Sequence, residues 1–294
     1  MSLRHALLAL AVVIVWGTNF VIIKLVLGHL PPMLFATLRF GLAAFPAVLF
    51  LKRPAVPVRE LALYGMLIGV GQFGLLFVAM NGLIAPGLAS LVVQSQVFFT
   101  IGLSMILTGE RLRPMQWLAL ALGGLGIGVI AWHRGGSTTA AGVVLVLCAA
   151  LGWAGGNMVQ RRSVGVNMLA YVVWSSLFAV PPLLLLSLYL EGWPAIAAGM
   201  SRATMSVWAA VVWQSVGNTM FGYAAWGWLL TRHPAATVAP LSLLVPVFGM
   251  GTAAWWLGEP VPAWQFGAAA LVLGGLALNL LWPRLVRRYL TPQP

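Results

Sequence analysis

Apolar residues run along this chain in blocks of about twenty, separated by short stretches that carry proline, glycine or charge. About twenty apolar residues span a bilayer as one helix. Ten such segments are legible, near 5–27, 32–51, 60–82, 86–107, 114–132, 140–161, 168–190, 205–230, 235–257 and 262–282. The breaks hold Pro31-Pro32, Lys52-Arg53-Pro54, Ala85-Pro86, Glu110 to Pro114, Arg134-Gly135-Gly136, Arg161-Arg162, Glu191 to Arg202, Arg232-His233-Pro234 and Glu259-Pro260. These are turn-forming and helix-ending residues. The pattern predicts an all-α polytopic membrane protein with ten transmembrane helices. The N-terminal apolar run is too long for a signal peptide.

The polar positions divide into two kinds. Twelve cations fall on one side of the predicted membrane: Arg4, Lys52, Arg53, Arg59, Arg111, Arg113, Arg161, Arg162, Arg232, Arg284, Arg287 and Arg288. Only Arg134 and Arg202 fall on the other side. The positive-inside rule then predicts both termini in the cytoplasm. The second kind lies inside the spans. In the first of them, Trp16-Gly17-Thr18-Asn19 is followed by Lys24. Such residues are tolerable in a span only where it faces protein or a water-filled cavity.

The chain also repeats itself. Asn19-Phe20 with Lys24 matches Asn157-Met158 with Arg162, a shift of 138. Met33-Leu34 with Pro46 matches Met168-Leu169 with Pro181, a shift of 135. Phe73-Gly74 matches Phe221-Gly222 at 148, and Gly109-Glu110 with Gln116 matches Gly258-Glu259 with Gln265 at 149. The jump in shift predicts an insertion around Glu191 to Ser206. The division expected is 1–136 and 137–294. A unit of five helices is odd, so the halves must cross the membrane with opposite orientation. Two inverted five-helix repeats are a transporter architecture with a site near the midplane between them.

These residues carry a resemblance. Trp16-Gly17-x-Asn19-Phe20 with Lys24, then Leu38-Arg39-Phe40, and the Gly-Glu signatures before spans five and ten resemble the EamA family of the drug/metabolite transporter superfamily. The overall pattern is most similar to YddG-type exporters of aromatic amino acids. That resemblance implies a central cavity lined by spans 1, 3, 4, 6, 8 and 9, and export from a bacterial cytoplasm across the inner membrane. The second half departs from the first, because Trp153-Ala154-Gly155-Gly156-Asn157 has one more residue between Trp and Asn.

Composition narrows the class further. The 294 residues are 61% hydrophobic and 7% charged, where soluble domains carry about a quarter. The net charge of +12 comes from residues flanking spans, with no basic cluster interleaved with aromatics, so nucleic acid is not an expected partner. The single Cys148 rules out an internal disulfide. The four histidines are scattered without metal-ligand spacing, and no cofactor or enzyme chemistry is expected. No phosphate-binding loop is present, so the chain itself does not hydrolyse ATP.

Candidate substrate contacts are the mid-span amides Asn19, Gln72, Gln94, Gln96, Asn157, Gln214 and Asn218, with the deep aromatics Trp16, Phe73, Trp153 and Tyr223. Amides donate and accept hydrogen bonds without imposing charge. That suits a zwitterionic amino acid; the alternative role is helix-to-helix hydrogen bonding. Lys24 and Arg39 are placed at similar depth, at a mouth, either snorkelling to the outer interface or pairing structurally, or else drawing in a substrate carboxylate or gating. Pro86 and Pro246 start or kink spans four and nine, the expected gates. Glu110 and Glu259 are expected to face the positive helix N-termini of spans five and ten, with a gate role as the alternative. No aspartate exists, and the four glutamates lie at span ends or in loops, which favours facilitated diffusion over a buried proton relay. Proton antiport, or another small solute in the same fold, is the alternative. The expected protein is a monomer, with a dimer as the other possibility.

Overall fold

In hydrocarbon every backbone N–H and C=O needs a partner within the protein, so each apolar block closes on itself as a helix. The computed structural model describes residues 1–108, 114–133, 138–160, 162–163, 165–233 and 238–289. Glu110, Arg134 and Arg161 lie outside the described residues. The spans are α1 (Leu3–Leu27), α2 (Pro32–Ala44), α3 (Val58–Met80), α4 (Pro86–Leu107), α5 (Pro114–Trp132), α6 (Ala140–Gln160), α7 (Met168–Leu186), α8 (205–232), α9 (Leu241–Leu257) and α10 (Ala263–Tyr289). Seven described helices are long and apolar enough to cross a membrane by themselves, and two shorter apolar helices follow late in the chain. α8 is long enough, but its amides and hydroxyls dilute its apolar character.

Local chemistry sets the ends. Ser2 caps α1 by accepting from His5 N at 3.4 Å. Pro32 and Pro86 occupy the first turns of α2 and α4, where a missing N–H costs nothing. α2 stops at Ala44, just ahead of Pro46, and a short turn at Ala47–Phe50 completes the crossing. The insertion predicted after Glu191 is a helix, Gly192–Arg202, entered through a bend at Gly192 (φ 77°) and lying against the α1–α2 connection.

The helices pack in pairs that obey the repeat. α1 packs on α9, as α6 packs on α4; α1 packs on α8, as α6 packs on α3; α2 packs on α8, as α7 packs on α3. Three pairs sit across the pseudo-two-fold axis: α2 with α7, α4 with α9, and α5 with α10. Gly17 permits the tight α1–α9 approach: a Cβ there would stand 2.5 Å from Phe248 Cβ and 2.8 Å from Val245 O. The result is a large apolar core between the helices, with a small second cluster at Ala9, Leu229 and Val238. Large apolar side chains also cover the outside, among them Phe50, Ile106, Trp132 and Trp255, as a lipid-facing surface requires.

Helical deformations recur at equivalent places in the two halves, apart from a further π-helical turn at Ser187–Glu191. α3 is π-helical over Met66–Gly74 and α8 over Gln214–Gly222. These two stretches are related by the shift of 148 that Phe73-Gly74 and Phe221-Gly222 display in the sequence. α4 tightens to a 3₁₀ turn at Val93–Ser95, and the entry to α9 does so at Ala239–Leu244. The shift of 149 carries the first of these into the second. π-helical and mid-helix 3₁₀ turns are uncommon and mark functional sites and hinges. All four lie in helices that approach the centre of the molecule.

Candidate functional site

A cavity opens between α1, α3, α4, α6, α8 and α9, at the level of the π-helical turns. Its walls are Trp16, Asn19, Phe20, Gln72, Phe73, Leu76, Val93, Trp153, Asn218, Tyr223 and Val245, enclosing about 440 Å³ of space between side chains and at its opening. The two π-helical stretches each contribute to this wall. One extra residue per turn re-aims side chains that a regular helix would place elsewhere.

Trp16 crowds one end. Its indole lies tilted against Tyr223 and Trp226, with ring centroids 5.4 and 5.2 Å away, and edge-on to Trp153 at 6.5 Å. It donates to Asn218 O at 3.4 Å. It can settle there because Gly222 has no side chain; a Cβ on Gly222 would collide with the indole. This aromatic cluster stands on the side of the cavity nearer the face where the chain begins.

Behind the polar wall lies Arg39, on α2. Its side chain is wholly buried, and Cζ sits 3.6 Å from the centre of the Phe73 ring. Nε donates to Thr219 Oγ1 at 3.0 Å, one terminal nitrogen to Gln214 Oε1 at 2.9 Å, and the other to Asn218 Oδ1 at 2.7 Å. Gln214 passes its own amide N–H on to Asn19 Oδ1. Ser215 donates to Arg39 O, tying the same helices together again. No carboxylate pairs with Arg39 among the described residues. An arginine in a span costs roughly 2.5–3.5 kcal/mol even by insertion scales, so the three acceptors and the aromatic face are what make it tolerable here.

Of the predicted contacts, Trp16, Asn19, Gln72, Phe73, Trp153, Asn218 and Tyr223 come together around this cavity. Gln214 stands one layer behind, between Asn19 and Arg39. Gln94, Gln96 and Asn157 go elsewhere. Gln94 donates to Ser242 O at 2.9 Å, joining the 3₁₀ turns of α4 and α9, and Asn157 donates to Gln96 Oε1 at 3.0 Å, joining α6 to α4. These three residues make two helix-to-helix hydrogen bonds. Phe20, Leu76, Val93 and Val245 line the cavity without any sequence signal, because an apolar residue facing a cavity reads like one facing lipid.

The charged candidates separate. Lys24 donates to Met80 O at 3.5 Å, near the face opposite the N-terminus. Arg39, expected beside it at a mouth, is instead sealed among α2, α3 and α8, and does not snorkel, because three acceptors are already within reach. The amides themselves are uncharged, but a buried cation stands behind them. Pro86 opens α4, and Pro246 sits where α9 changes from 3₁₀ to α-helical winding. Glu259 does not serve its own helix: its carboxylate accepts from Gly87 N at 3.2 Å, at the start of α4. Burial pushes that carboxyl above the ordinary range, against the pull of Gly87 N–H and Lys24. Glu191 acts similarly on α2, accepting from Met33 N and from Leu34 N at 3.0 Å. Both carboxylates belong to the second half and hold helices of the first.

Two successive segments, residues 3–132 and 140–281, each match the model of the EamA-like transporter family. The chain belongs to the EamA-like transporter family. This EamA transporter is 42% identical to a protein of Salmonella typhimurium named a probable amino-acid metabolite efflux pump, over 98% of both chains. A protein of the same name from Escherichia coli is 40% identical over 98% of this chain and 99% of its own. A crystal structure sharing 21% identity aligns over 99% of each chain with a TM-score of 0.66, which shows the fold. The protein is thus a multi-pass membrane transporter of ten helices in two inverted repeats around a central cavity. Among the described residues no group of histidine, cysteine and carboxylate side chains is arranged to hold a metal.

Proposed function

We propose that this transporter exports neutral amino acids, aromatic ones included, or closely related metabolites, from the bacterial cytoplasm across the inner membrane. The observation that carries this reading is the wall of the central cavity. It joins uncharged amide groups of Asn19, Gln72 and Asn218 to the rings of Trp16, Phe73, Trp153 and Tyr223. Such a wall suits a small molecule with an ammonium, a carboxylate and an apolar side chain. The names of the two efflux-pump relatives point the same way. Gln72 Oε1 is buried without a hydrogen-bond partner, an acceptor that an ammonium group would satisfy.

Transport proceeds by alternating access, with substrate held between the repeats 1–136 and 137–294 while the two faces open in turn. Contacts between halves at Glu191 and Glu259 close one face. The 3₁₀ turns of α4 and α9, with Pro86 and Pro246 beside them, are the points where the helices bend. The cavity wall carries no carboxylate among the described residues, which supports facilitated diffusion down the substrate gradient. Both termini lie in the cytoplasm, and the working unit is a monomer, since each chain contains its own cavity.

The test is transport by the purified protein in liposomes against a panel of the twenty amino acids, with no gradient but that of substrate. Saturable movement of neutral amino acids, strongest for phenylalanine, tryptophan or tyrosine, is expected. Movement of none would remove the reading, and strict dependence on a pH gradient would replace uniport with proton antiport.

A further inference from the structure

The buried arginine fixes which way the cavity amides face. A guanidinium carries only hydrogen-bond donors. Whatever touches it must therefore present oxygen, so Gln214 and Asn218 turn their amide oxygens to Arg39. This orientation follows from the chemistry of the partner rather than from a choice between similar atoms. Gln214 then has its NH2 group on the far side, and it meets Asn19 Oδ1. Asn19 in turn has only its own NH2 left. The relay ends in two NH2 groups, on Asn19 and Asn218. Both residues line the cavity, and no hydrogen bond among the described residues occupies either group. Reversing either chain of amides would set donor against donor beside a buried cation.

We propose that the NH2 groups of Asn19 and Asn218 form the carboxylate subsite of the transported molecule, and that Arg39 positions both without touching the substrate. This rests on the cavity being the transport site. The arrangement has a direction: two donors face the cavity with a fixed positive charge behind them. A carboxylate gains hydrogen bonds and sits in a favourable field. An ester of the same acid has lost the charge, and a bare amine is repelled. Arg39 is thus a positioning residue, and its charge is exerted through amide dipoles across a wall that keeps the guanidinium dry. In a low-dielectric interior that field reaches the cavity with little screening.

Two matched probes decide the matter: 3-phenylpropionate and its methyl ester, which differ only at the carboxylate. Their binding to the full-length protein in lipid vesicles is read from tryptophan fluorescence. The acid binds wild type at least about 10-fold more tightly than the ester, the worth of one hydrogen bond to a charged group. Asn218→Asp keeps an oxygen on Arg39, so the buried cation stays paired, but it places a second oxygen where the NH2 group stood. The acid-to-ester affinity ratio then falls to one or below. Arg39→Lys keeps the charge but cannot hold both amides; KM for a carboxylate substrate rises while the maximal rate holds, whereas a merely structural arginine would lower the rate with the amount of folded protein. Equal binding of acid and ester by wild type overturns the proposal, as does binding of neither, or an unchanged ratio in Asn218→Asp. If wild type moves no amino acid in liposomes, the exporter reading fails, and the binding ratio still reports on the subsite by itself.

Discussion

The π-helical stretches of α3 and α8 have the same length and equivalent positions and share Gly69/Gly217, Phe73/Phe221 and Gly74/Gly222, yet their polar residues differ. Met66–Gly74 reads Met-Leu-Ile-Gly-Val-Gly-Gln-Phe-Gly, and Gln214–Gly222 reads Gln-Ser-Val-Gly-Asn-Thr-Met-Phe-Gly. Gln214 stands where the first half has Met66, Asn218 where it has Val70, and Thr219 where it has Gly71. The helix packed on each follows suit. Arg39 of α2 reaches into the α8 stretch, while the shift of 135 places Trp174 of α7 at the equivalent position, its indole N–H donating instead to Leu51 O at 2.9 Å. The backbone is symmetric because both halves must open a cavity at the same depth. On the function proposed above, the asymmetric side chains serve a molecule whose two ends differ.

The largest effect should come from the centre of the asymmetry. Arg39→Leu leaves the oxygens of Gln214, Asn218 and Thr219 facing a hydrocarbon side chain. A loss of about 1–3 kcal/mol for each buried acceptor left without a donor is expected, less what is regained by no longer burying a guanidinium. Trp174→Phe, at the equivalent position, removes one neutral hydrogen bond and costs about 1 kcal/mol. Thermal unfolding of the two variants in detergent compares them directly; equal losses would mean that the halves are alike in chemistry as well as backbone.

Next come the glycines that end the two stretches. A Cβ on Gly222 collides with the Trp16 indole, whereas one on Gly74 meets nothing nearer than Leu183 Cδ2 at 3.5 Å. Gly222→Ala should therefore displace Trp16, cost about 1–3 kcal/mol by overpacking and depress transport, and Gly74→Ala should do neither. Quenching of tryptophan fluorescence by substrate measures the first, and a Gly222→Ala protein with native quenching would contradict the seating of Trp16.

The smallest effect concerns Glu259, ahead of α10. Burial raises the Glu259 carboxyl, so the folded state holds its proton to higher pH than the unfolded chain does. The stability tied to this group is complete below the ordinary carboxylate range and is lost as pH rises through the raised value. Glu259→Gln should flatten that part of the pH–stability curve. A curve identical to wild type in slope would show that the carboxyl titrates normally.

Much of this was readable along the chain. The ten spans, the inverted repeat and the insertion after Glu191 follow from periodicity and turn chemistry, because a bilayer imposes segment length and internal hydrogen bonding so strictly. Seven of the predicted contacts meet at one cavity for the related reason that polar residues survive in a span only where something receives them. Arg39 was misplaced because depth along one helix does not say what the neighbouring helix presents; its acceptors lie about 180 positions away in the chain. Gln94, Gln96 and Asn157 were indistinguishable from cavity residues because an amide that joins helices and one that faces a cavity have the same composition and depth.

The chain by itself therefore determined how many times it crosses the membrane, that it does so twice over in opposite senses, and which side chains are too polar to face lipid. Only the tertiary structure decided where each of those side chains finds its partner. Local spacing orients a residue on its own helix to within a fraction of a turn, but one additional residue per π-helical turn rotates everything beyond it. It is that rotation, set by packing between helices distant in sequence, that lets Arg39 start two branches of hydrogen bonds, one through Gln214 to Asn19 and one to Asn218.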